Sequence, residues 1–192
     1  MRLPQAVVPL FSWPLDAILA ALPGEEDPLW ELWSRRQERF PAHRSTRTIR
    51  FIWLESLEPG VAPAIERVDD ASPELQAAVL ACGEAIAGHH GGRVARLMLT
   101  EMAPDTAIPR HVDAGDLLTH THRCHLAVVT NPRVRFEVGD ESFHFAAGQV
   151  YEFDNLRRHA VVNMGESRRV HLICNVLPAE RSLPEPAIDI II

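Results

Sequence analysis

The stretch that decides the fold runs from residue 108 to residue 178; it begins IPRHVDAGDLLTHTHRCHLAVVTNPRVRFEVG and ends, at residues 168–178, RRVHLICNVLP. From residue 93 onward short β-prone runs alternate with turn residues, and Gly139-Asp140 is typical of a tight hairpin. Many short strands without intervening helices favour a sandwich or barrel, so we expect a mainly β, double-sheet jelly roll, the cupin-like double-stranded β-helix. The predicted strands of this region are 93–101, 108–113, 123–130, 134–138, 143–145, 150–153, 160–163 and 169–176.

His111 and Asp113 stand two residues apart at the start of this stretch. Side chains two apart on a strand project from the same face, so this pair can bind one ion together. The best candidate for a third ligand is His159, which follows Phe153-Asp154. Two imidazoles and one carboxylate on one face of an octahedron bind Fe(II) and leave positions for a cosubstrate and oxygen. The alternative is a polar strand end that faces water, since an H-x-D pair is weak evidence alone.

Arg169 lies in the apolar run RRVHLIC, residues 168–174. A guanidinium that enters a cleft from such a strand usually meets a carboxylate, because its planar fork matches one. An ordinary ion pair with Glu152 or Glu166 is the alternative. His171 shares strand parity with Arg169 and could either support it or belong to a substrate pocket.

Four blocks of sequence keep a definite order and spacing across residues 93–178, less than half of the chain. They are Met102-Ala103-Pro104-Asp105-Thr106 leading to His111, Arg123-Cys124-His125-Leu126, Phe153-Asp154 before His159, and Arg169. Together they resemble the aspartyl/asparaginyl β-hydroxylase family of 2-oxoglutarate-dependent, Fe(II)-dependent dioxygenases.

The resemblance implies that His111 and His159 are iron ligands. Some members of the family lack the carboxylate ligand, whereas Asp113 is present here. The chain is therefore similar to the branch with a complete His-x-Asp…His triad, which also contains hydroxylases of free amino acids. On this basis His111, Asp113 and His159 are the expected metal-binding and catalytic residues.

The resemblance also implies a binding site for the cosubstrate. Arg169 would hold the distal carboxylate of 2-oxoglutarate, and Thr100 occupies the position of a hydroxyl that assists it. Arg123 and His125 match residues near the iron-chelating end of the cosubstrate.

The implied activity is the hydroxylation of an unactivated C–H bond with O2, while 2-oxoglutarate is converted to succinate and CO2. A free amino acid, a peptide and a carrier-tethered aminoacyl group all remain open as substrates. Cations near the predicted ligands suggest an anionic substrate, with solvated loop charges as the alternative; they are Arg110, Arg157, Arg158 and Arg168. Two other classes stay open: a metal-dependent cupin-type enzyme that does not use 2-oxoglutarate, and a non-catalytic jelly-roll binding module.

Length and composition limit the class of protein. A chain of 192 residues is sufficient for one domain with a sizeable core. The net charge of −7 argues against a nucleic-acid partner. Three cysteines without a C-x-x-C pair favour a reducing compartment, and no apolar run reaches the length of a membrane span. Because no clear signal-peptide cleavage site is visible either, we expect a cytoplasmic protein without a membrane partner.

The N-terminal part is expected to be an elaboration, residues 1–92, packed on a jelly-roll core, residues 93–180, within a single structural domain. The tail, residues 181–192, ends in the apolar run AIDIII. Such a run needs a sheet edge or a dimer interface to cover it, so a homodimer is possible.

Three elements are predicted within the N-terminal part. Asp27 and Pro28 indicate a helix that continues to about Phe40 and places Trp30 and Trp33 in the core. The β-rich run at residues 46–54 predicts a strand. A cap at Ser72 with a following proline predicts a second helix that ends at Gly88.

A second group of histidines surrounds Arg123. By strand parity Arg123 and His125 face one side together, whereas His120 and His122 are expected to be solvent-facing loop residues. A second metal site is not expected here.

Overall fold

The computed structural model describes residues 2–33, 45–57, 65–67 and 70–181. These residues contain eleven strands: β1 Val7–Ser12, β2 Thr46–Leu54, β3 Ile65–Arg67, β4 Gly92–Met102, β5 Thr106–His111, β6 His122–Val129, β7 Val134–Val138, β8 Glu141–Phe143, β9 Gln149–Phe153, β10 His159–Asn163 and β11 Arg169–Pro178. The helices are α1 Asp16–Ala21, α2 Pro73–His89, α3 Asp116–His120 and a 3-10 helix at Pro28–Glu31.

The strands form two antiparallel sheets. A seven-stranded sheet has the order β1-β9-β6-β11-β4-β2-β3, and a four-stranded sheet has the order β5-β10-β7-β8. The expected mainly β, double-sheet jelly roll is confirmed.

Strand β11 shows how the two faces of the large sheet differ. Val170 and Leu172 point to the main hydrophobic core, which also contains Leu75, Val79 and Ile86 of α2. Arg169 and Ile173 point the other way and line a pocket with residues of the four-stranded sheet. Because successive side chains alternate, one strand covers the core with one face and supplies the site with the other.

Helix α2 begins as the sequence predicts. The Ser72 hydroxyl accepts a hydrogen bond from the backbone N–H of Leu75, and Pro73 occupies the first turn. The helix continues through Gly88 to His89, with His90 as its C-cap. Gly91 then adopts a φ of +61°, a conformation that favours glycine, and the chain enters β4.

The segment after Asp27 differs from the prediction. Asp27 does cap it, accepting from the backbone N–H of Leu29 at 2.9 Å, but the 3-10 helix ends at Glu31. Trp30 is fully buried and its Nε1 donates to the Gly24 carbonyl oxygen at 2.9 Å, which fixes the segment as a single tight turn. The remainder of the predicted helix, residues 34–40, lies outside the described residues.

Two strand predictions in the core region were wrong in position. The strand expected at 143–145 is β8, Glu141–Phe143. Phe145 lies beyond this strand and is buried against another aromatic ring, so its apolar side chain serves the core and not a strand ladder. The strand expected at 108–113 ends at His111. Helices α1 and α3 and strands β1 and β3 were not predicted.

The apolar tail lies outside the described residues, so its predicted role stays a prediction. Among the described helices, none combines the length and the apolar character that a membrane span requires.

Candidate active site

Two strands of the small sheet bring the predicted metal ligands together. His111 ends β5 and His159 begins β10, and the two residues face each other in the antiparallel ladder. Asp113 follows in a loop, where its backbone N–H donates to the Asn155 carbonyl oxygen at 3.2 Å. The Asp113 Oδ1 atom lies 3.8 Å from His111 Nε2 and 4.0 Å from His159 Nε2. The three ligand atoms all lie within 4.8 Å of one another.

Backbone carbonyls orient both imidazoles. The Nδ1 atom of His111 is 2.8 Å from the Pro109 oxygen, and the Nδ1 atom of His159 is 2.9 Å from the Arg157 oxygen. A carbonyl can only accept, so each Nδ1 carries a proton, and each Nε2 is the ring nitrogen that faces Asp113 and is left for a metal. Burial lowers the pKa of His159, which favours the neutral ring that a metal requires.

The two oxygens of Asp113 have different surroundings. Its Oδ2 atom lies 3.0 Å from Arg123 Nε and 3.4 Å from Asn155 Nδ2, whereas Oδ1 faces the two histidines. The approach of Arg123 Nε is an ion pair without the alignment of a hydrogen bond. One oxygen is thus held by the protein and the other is directed to the position of an ion. Two imidazole nitrogens and one carboxylate oxygen fit Fe(II), with further positions left for other ligands.

A pocket between the sheets opens beside these ligands. Its apolar wall comes from both sheets, and six polar side chains converge in it: Thr100, His111, Arg123, His125, His159 and Arg169. All of the site residues predicted from the sequence, apart from Asp113, line this pocket directly, and Asp113 contacts Arg123.

Arg169 is a buried cation without a buried anion. It is 1% exposed, and among the described residues no carboxylate forms an ion pair with it. Burial and the nearby Arg123 lower its pKa to about 9, so it remains protonated at neutral pH. Neither Glu152 nor Glu166 pairs with it: Glu152 contacts histidines on the opposite face of the sheet, and Glu166 is exposed.

The hydrogen-bonding groups around Arg169 are also incompletely used. Its Nη2 atom lies 2.6 Å from His171 Nδ1, and since a guanidinium only donates, this nitrogen accepts. Within the described part of the chain, Arg169 Nε and Thr100 Oγ1 are buried without a hydrogen-bond partner. An unpaired buried cation beside an unused hydroxyl is suited to a carboxylate ligand.

Arg123 and His125 project into the same pocket from β6. Arg123 Nη1 donates to Asn175 Oδ1 at 3.0 Å, which places its guanidinium between Asn175 and Asp113. His125 lies edge-on to the rings of Phe136 and Phe153. Burial, with Arg123 next in importance, lowers the pKa of His125 well below its ordinary value, so the ring is neutral.

Most of the cations that the sequence places near the predicted metal ligands form ion pairs with carboxylates of the protein itself. Arg110 pairs with Glu137 at 2.9 Å, Arg157 with Asp154 at 3.1 Å, and Arg168 with Glu101 at 3.0 Å. Arg158 is exposed.

A different pair of cations, Arg50 and Arg96, stacks on Trp53 and was missed from the sequence. The guanidinium of Arg50 lies 3.7 Å from the centroid of the Trp53 ring, and that of Arg96 lies 4.1 Å from the same ring. Trp53 packs with Ile173, which lines the pocket. Strand parity could have indicated Arg96, because it shares a face of β4 with Thr100.

Asn155 and Asn175 were also missed, although each holds a charged side chain of the site. Asn175 shares strand parity with Arg169, which is the signal that could have found it. Asp154, in the block before His159, organises its own loop: its carboxylate accepts from Leu156 N at 3.1 Å and from Arg157 Nε at 3.1 Å.

The second histidine group differs from the prediction. His122 is the first residue of β6 and is half-buried; its Nδ1 lies 2.7 Å from Glu152 Oε1, and its ring stacks on that of His90. The expectation of solvent-facing loop residues was wrong for both histidines: His120 is the half-buried last residue of α3, and His122 has two partners that are distant in sequence. His90, His122 and Glu152 also place ligand atoms within 4.8 Å of one another, and the expectation that no second metal site is present stays a prediction.

A double-stranded β-helix in which two imidazoles and a carboxylate converge beside a buried arginine has the design of the 2-oxoglutarate-dependent non-haem iron oxygenases. The chain belongs to the aspartyl/asparaginyl beta-hydroxylase family, whose model matches residues 70–178, more than half of the chain. The resemblance drawn from the motifs is confirmed, and so is the expected enzyme class, a 2-oxoglutarate-dependent hydroxylase.

Solved structures share the fold at low sequence identity. An oxidoreductase of the 2OG-Fe(II) oxygenase family from Burkholderia pseudomallei has a TM-score of 0.61 and 16% identity, over 95% of this chain and 89% of that chain. A Pseudomonas putida prolyl-4-hydroxylase has a TM-score of 0.53 and 15% identity, over 93% and 95%. The viral collagen prolyl hydroxylase of Paramecium Bursaria Chlorella virus-1, solved as a 2OG complex, has a TM-score of 0.54 and 8% identity, over 90% and 96%. No curated protein matches the chain.

Proposed function

We propose that this enzyme hydroxylates an unactivated C–H bond of an amino acid, or of an aminoacyl or peptidyl residue, with succinate and CO2 as coproducts. The observation that carries the proposal is Arg169, a fully buried guanidinium that no described carboxylate pairs, in the pocket that also contains the His111 and His159 imidazoles. A dicarboxylate that reaches from Arg169 to a metal would satisfy both ends of the pocket.

The proposed iron ligands are His111 Nε2, Asp113 Oδ1 and His159 Nε2. Their support is the set of contacts that fixes each donor: two backbone carbonyls orient the imidazoles, an ion pair with Arg123 holds the second carboxylate oxygen, and Asn155 donates a hydrogen bond to that same oxygen. When bound, Fe(II) with 2-oxoglutarate and O2 supplies the oxidising power that C–H hydroxylation needs. The protein supplies a pair of oriented imidazoles, one carboxylate ligand and a fixed geometry.

The proposed cosubstrate site uses two groups of side chains. Arg169 and Thr100 would bind the distal carboxylate, because both have buried donor atoms without described partners. Arg123 and His125 would contact the iron-chelating end. The apolar wall of Phe136, Phe153 and neighbouring residues excludes water, which strengthens each of these polar contacts.

The substrate is proposed to carry an anionic group such as a carboxylate. Arg50 and Arg96 stack against Trp53 next to the pocket residue Ile173, so positive charge and aromatic surface lie together near the candidate metal ligands. Burial lowers the pKa of Arg96 only to about 10, which leaves it protonated at neutral pH. The family description, aspartyl/asparaginyl beta-hydroxylase, agrees with an amino-acid or peptidyl substrate.

Anaerobic titration of the Fe(II)-loaded protein with 2-oxoglutarate tests the cosubstrate site. The visible charge-transfer band of the chelate reports binding, and Arg169→Met is expected to raise the dissociation constant at least tenfold, since charge-assisted hydrogen bonds contribute about 1.5–3 kcal/mol each. Arg168→Met is the matched control. It removes the same side chain from the adjacent position, where the guanidinium pairs with Glu101, and the titration should not change. An Arg169→Met protein that binds as wild type would overturn this assignment.

Succinate release with single amino acids and short peptides tests the substrate class. Acidic and amide side chains come first, and proline is included because two structural neighbours are named prolyl hydroxylases. An anionic substrate should show a KM at least tenfold higher in Arg50→Met, with little change in kcat. Turnover without 2-oxoglutarate would instead favour the cupin-type enzyme, and iron binding without oxygen consumption would favour a binding module.

A further inference from the structure

A second cluster of metal-binding side chains lies on the opposite face of the seven-stranded sheet from the candidate active site. Strand β6 separates the two. Its residues Arg123 and His125 line the pocket, whereas His122 and Cys124 project toward α2. Glu152 reaches the same face from β9, where it lies directly opposite Cys124 in the ladder.

His90 completes the cluster from a third element, since it is the C-cap of α2. Its Nε2 atom lies 3.9 Å from Glu152 Oε2, and His122 Nδ1 lies 2.7 Å from Glu152 Oε1. The two imidazole rings stack with centroids 4.0 Å apart and planes 18° apart. Two nitrogens and one carboxylate oxygen therefore converge within 4.8 Å from three separate elements.

The electrostatics of this position favour a cation. The side chain of Glu152 is 8% exposed, and within the described part of the chain its ion-pair partners are the two histidines, with no arginine or lysine. The C-terminal end of α2 adds partial negative charge from its last carbonyls. A buried carboxylate and a helix C-terminus at one position are both stabilised by a positive ion.

We propose that His90, His122 and Glu152 form a second metal site for a divalent ion of the Zn²⁺ class. Two imidazoles and one carboxylate are a donor set that zinc accepts, with a fourth position for water. The Cys124 thiol, 3.3 Å from His90 Nε2, is a buried hydrogen-bonding neighbour of the cluster. A bound ion would connect the end of α2 to β6 and β9. Strand β6 also carries Arg123 and His125, which project from its opposite face into the pocket.

The test uses a full-length protein without an affinity tag in which Asp113→Ala and His159→Ala disable the first cluster. Equilibrium dialysis against Zn²⁺ should give one ion per chain. Adding His122→Ala should lower the affinity at least 100-fold, whereas adding His120→Ala should leave it unchanged. His120 is the matched control because it lies two residues away, on α3, and pairs with Asp116. A parent variant that binds no zinc would overturn the proposal.

A second variant separates the loss of a metal ligand from a loss of the fold. Glu152→Gln keeps the size of the side chain and an oxygen that accepts from His122, but removes the charge. It should also lose zinc binding at least 100-fold, with an unchanged far-ultraviolet circular dichroism spectrum. Folded Glu152→Gln protein that binds zinc as tightly as its parent would overturn the site. Because the first cluster is disabled throughout, the result is independent of the proposed hydroxylase site.

Discussion

The two carboxylate oxygens of Asp113 face different groups: Oδ1 faces the two candidate histidine ligands, and Oδ2 faces Arg123 and Asn155. Asn155 contributes twice to this division, because its side chain contacts Oδ2 and its backbone oxygen accepts from the Asp113 N–H. Its Nδ2 also donates to the Leu118 carbonyl oxygen at 3.0 Å, which anchors the amide itself. A ligand supported in this way loses little freedom when it binds an ion.

Asn155→Ala is therefore expected to weaken Fe(II) binding by about 10- to 100-fold without removing a ligand. Anaerobic equilibrium dialysis measures the dissociation constant directly. Asn131→Ala is the control, since that amide bonds to Asn163 and Ser167 and has no contact with Asp113. Equal Fe(II) affinities for Asn155→Ala and wild type would show that Arg123 alone positions the ligand.

Two buried histidines, His125 in the pocket and His171 beside Arg169, should make the stability of the protein depend on pH. Burial, followed by neighbouring cations, lowers the pKa of both His125 and His171 well below the ordinary value. Below pH 6.5 the unfolded chain then binds more protons than the folded chain, so the stabilisation is complete above that pH and declines as the pH falls. Each such histidine contributes a slope of up to about 1.4 kcal/mol per pH unit.

His171→Gln should reduce this slope by one histidine's share while its amide oxygen still accepts from Arg169. Urea unfolding of the metal-free protein between pH 7.5 and 5 gives the free energy at each pH, and the slope is compared with wild type. Identical slopes would mean that His171 is not held neutral in the folded state.

At the scale of single elements, two glycines on either side of the turn from α2 to β4 should respond to alanine in opposite directions. Gly88 lies inside the helix, and a Cβ there would meet nothing within 4 Å, so Gly88→Ala should stabilise the fold by about 0.5–1 kcal/mol. Gly92 begins β4, and a Cβ there would meet the Leu177 carbonyl oxygen in the neighbouring strand. Gly92→Ala should cost about 1–3 kcal/mol.

Chemical denaturation of both variants measures the two changes. Each serves as the control for the other, because the substitution is the same and the positions are four residues apart. A destabilising Gly88→Ala would contradict a helix that continues to His89.

The same helix shows what the sequence could predict. Its start depends on local sequence signals, a capping serine followed by a proline, and the structure confirms both. Its end was placed at Gly88 because glycine often terminates helices, yet the backbone there stays helical and Gly91 makes the turn. Local rules thus located the element and missed its last residues.

In the candidate site too, local patterns predicted some features, and contacts between distant parts of the chain determine the others. Strand alternation placed Arg123 with His125, and Arg169 with His171, on common faces, and Asp113 keeps the side of His111 although the strand ends before it. The pairing of His111 with His159 across the ladder depends on register between distant strands. The convergence of His90 with Glu152 depends on where the end of α2 packs against the sheet, which cannot be predicted from a single sequence.

At the scale of the whole molecule, the candidate ligands are divided between the two sheets. The seven-stranded sheet carries Thr100, Arg123 and Arg169, and the four-stranded sheet carries His111 and His159. A metal on one sheet and a carboxylate on the other can be connected by a single molecule that chelates the metal and reaches the arginine. Binding of the metal and of this molecule should then be cooperative, because the bound metal provides one of the contacts that the molecule makes and the molecule adds ligands to the metal.

Thermal unfolding under anaerobic conditions should show this cooperativity as an increment that neither ligand gives alone. With Fe(II) held constant, 2-oxoglutarate at about 100 times its dissociation constant should add about 2.7 kcal/mol, which is roughly 5–11 °C in Tm for a chain of this size. Without iron the same concentration should add far less, because the chelating end has no partner. Any contribution of iron at a second site cancels, since the increment is measured at fixed metal. At the same concentration a variant that binds at least tenfold more weakly gains at most about 1.4 kcal/mol, so Arg169→Met should lose half of the increment or more, whereas Arg168→Met should retain all of it. A full increment without iron would mean that Arg169 binds the dicarboxylate independently, and that the two sheets are not coupled through the ligand.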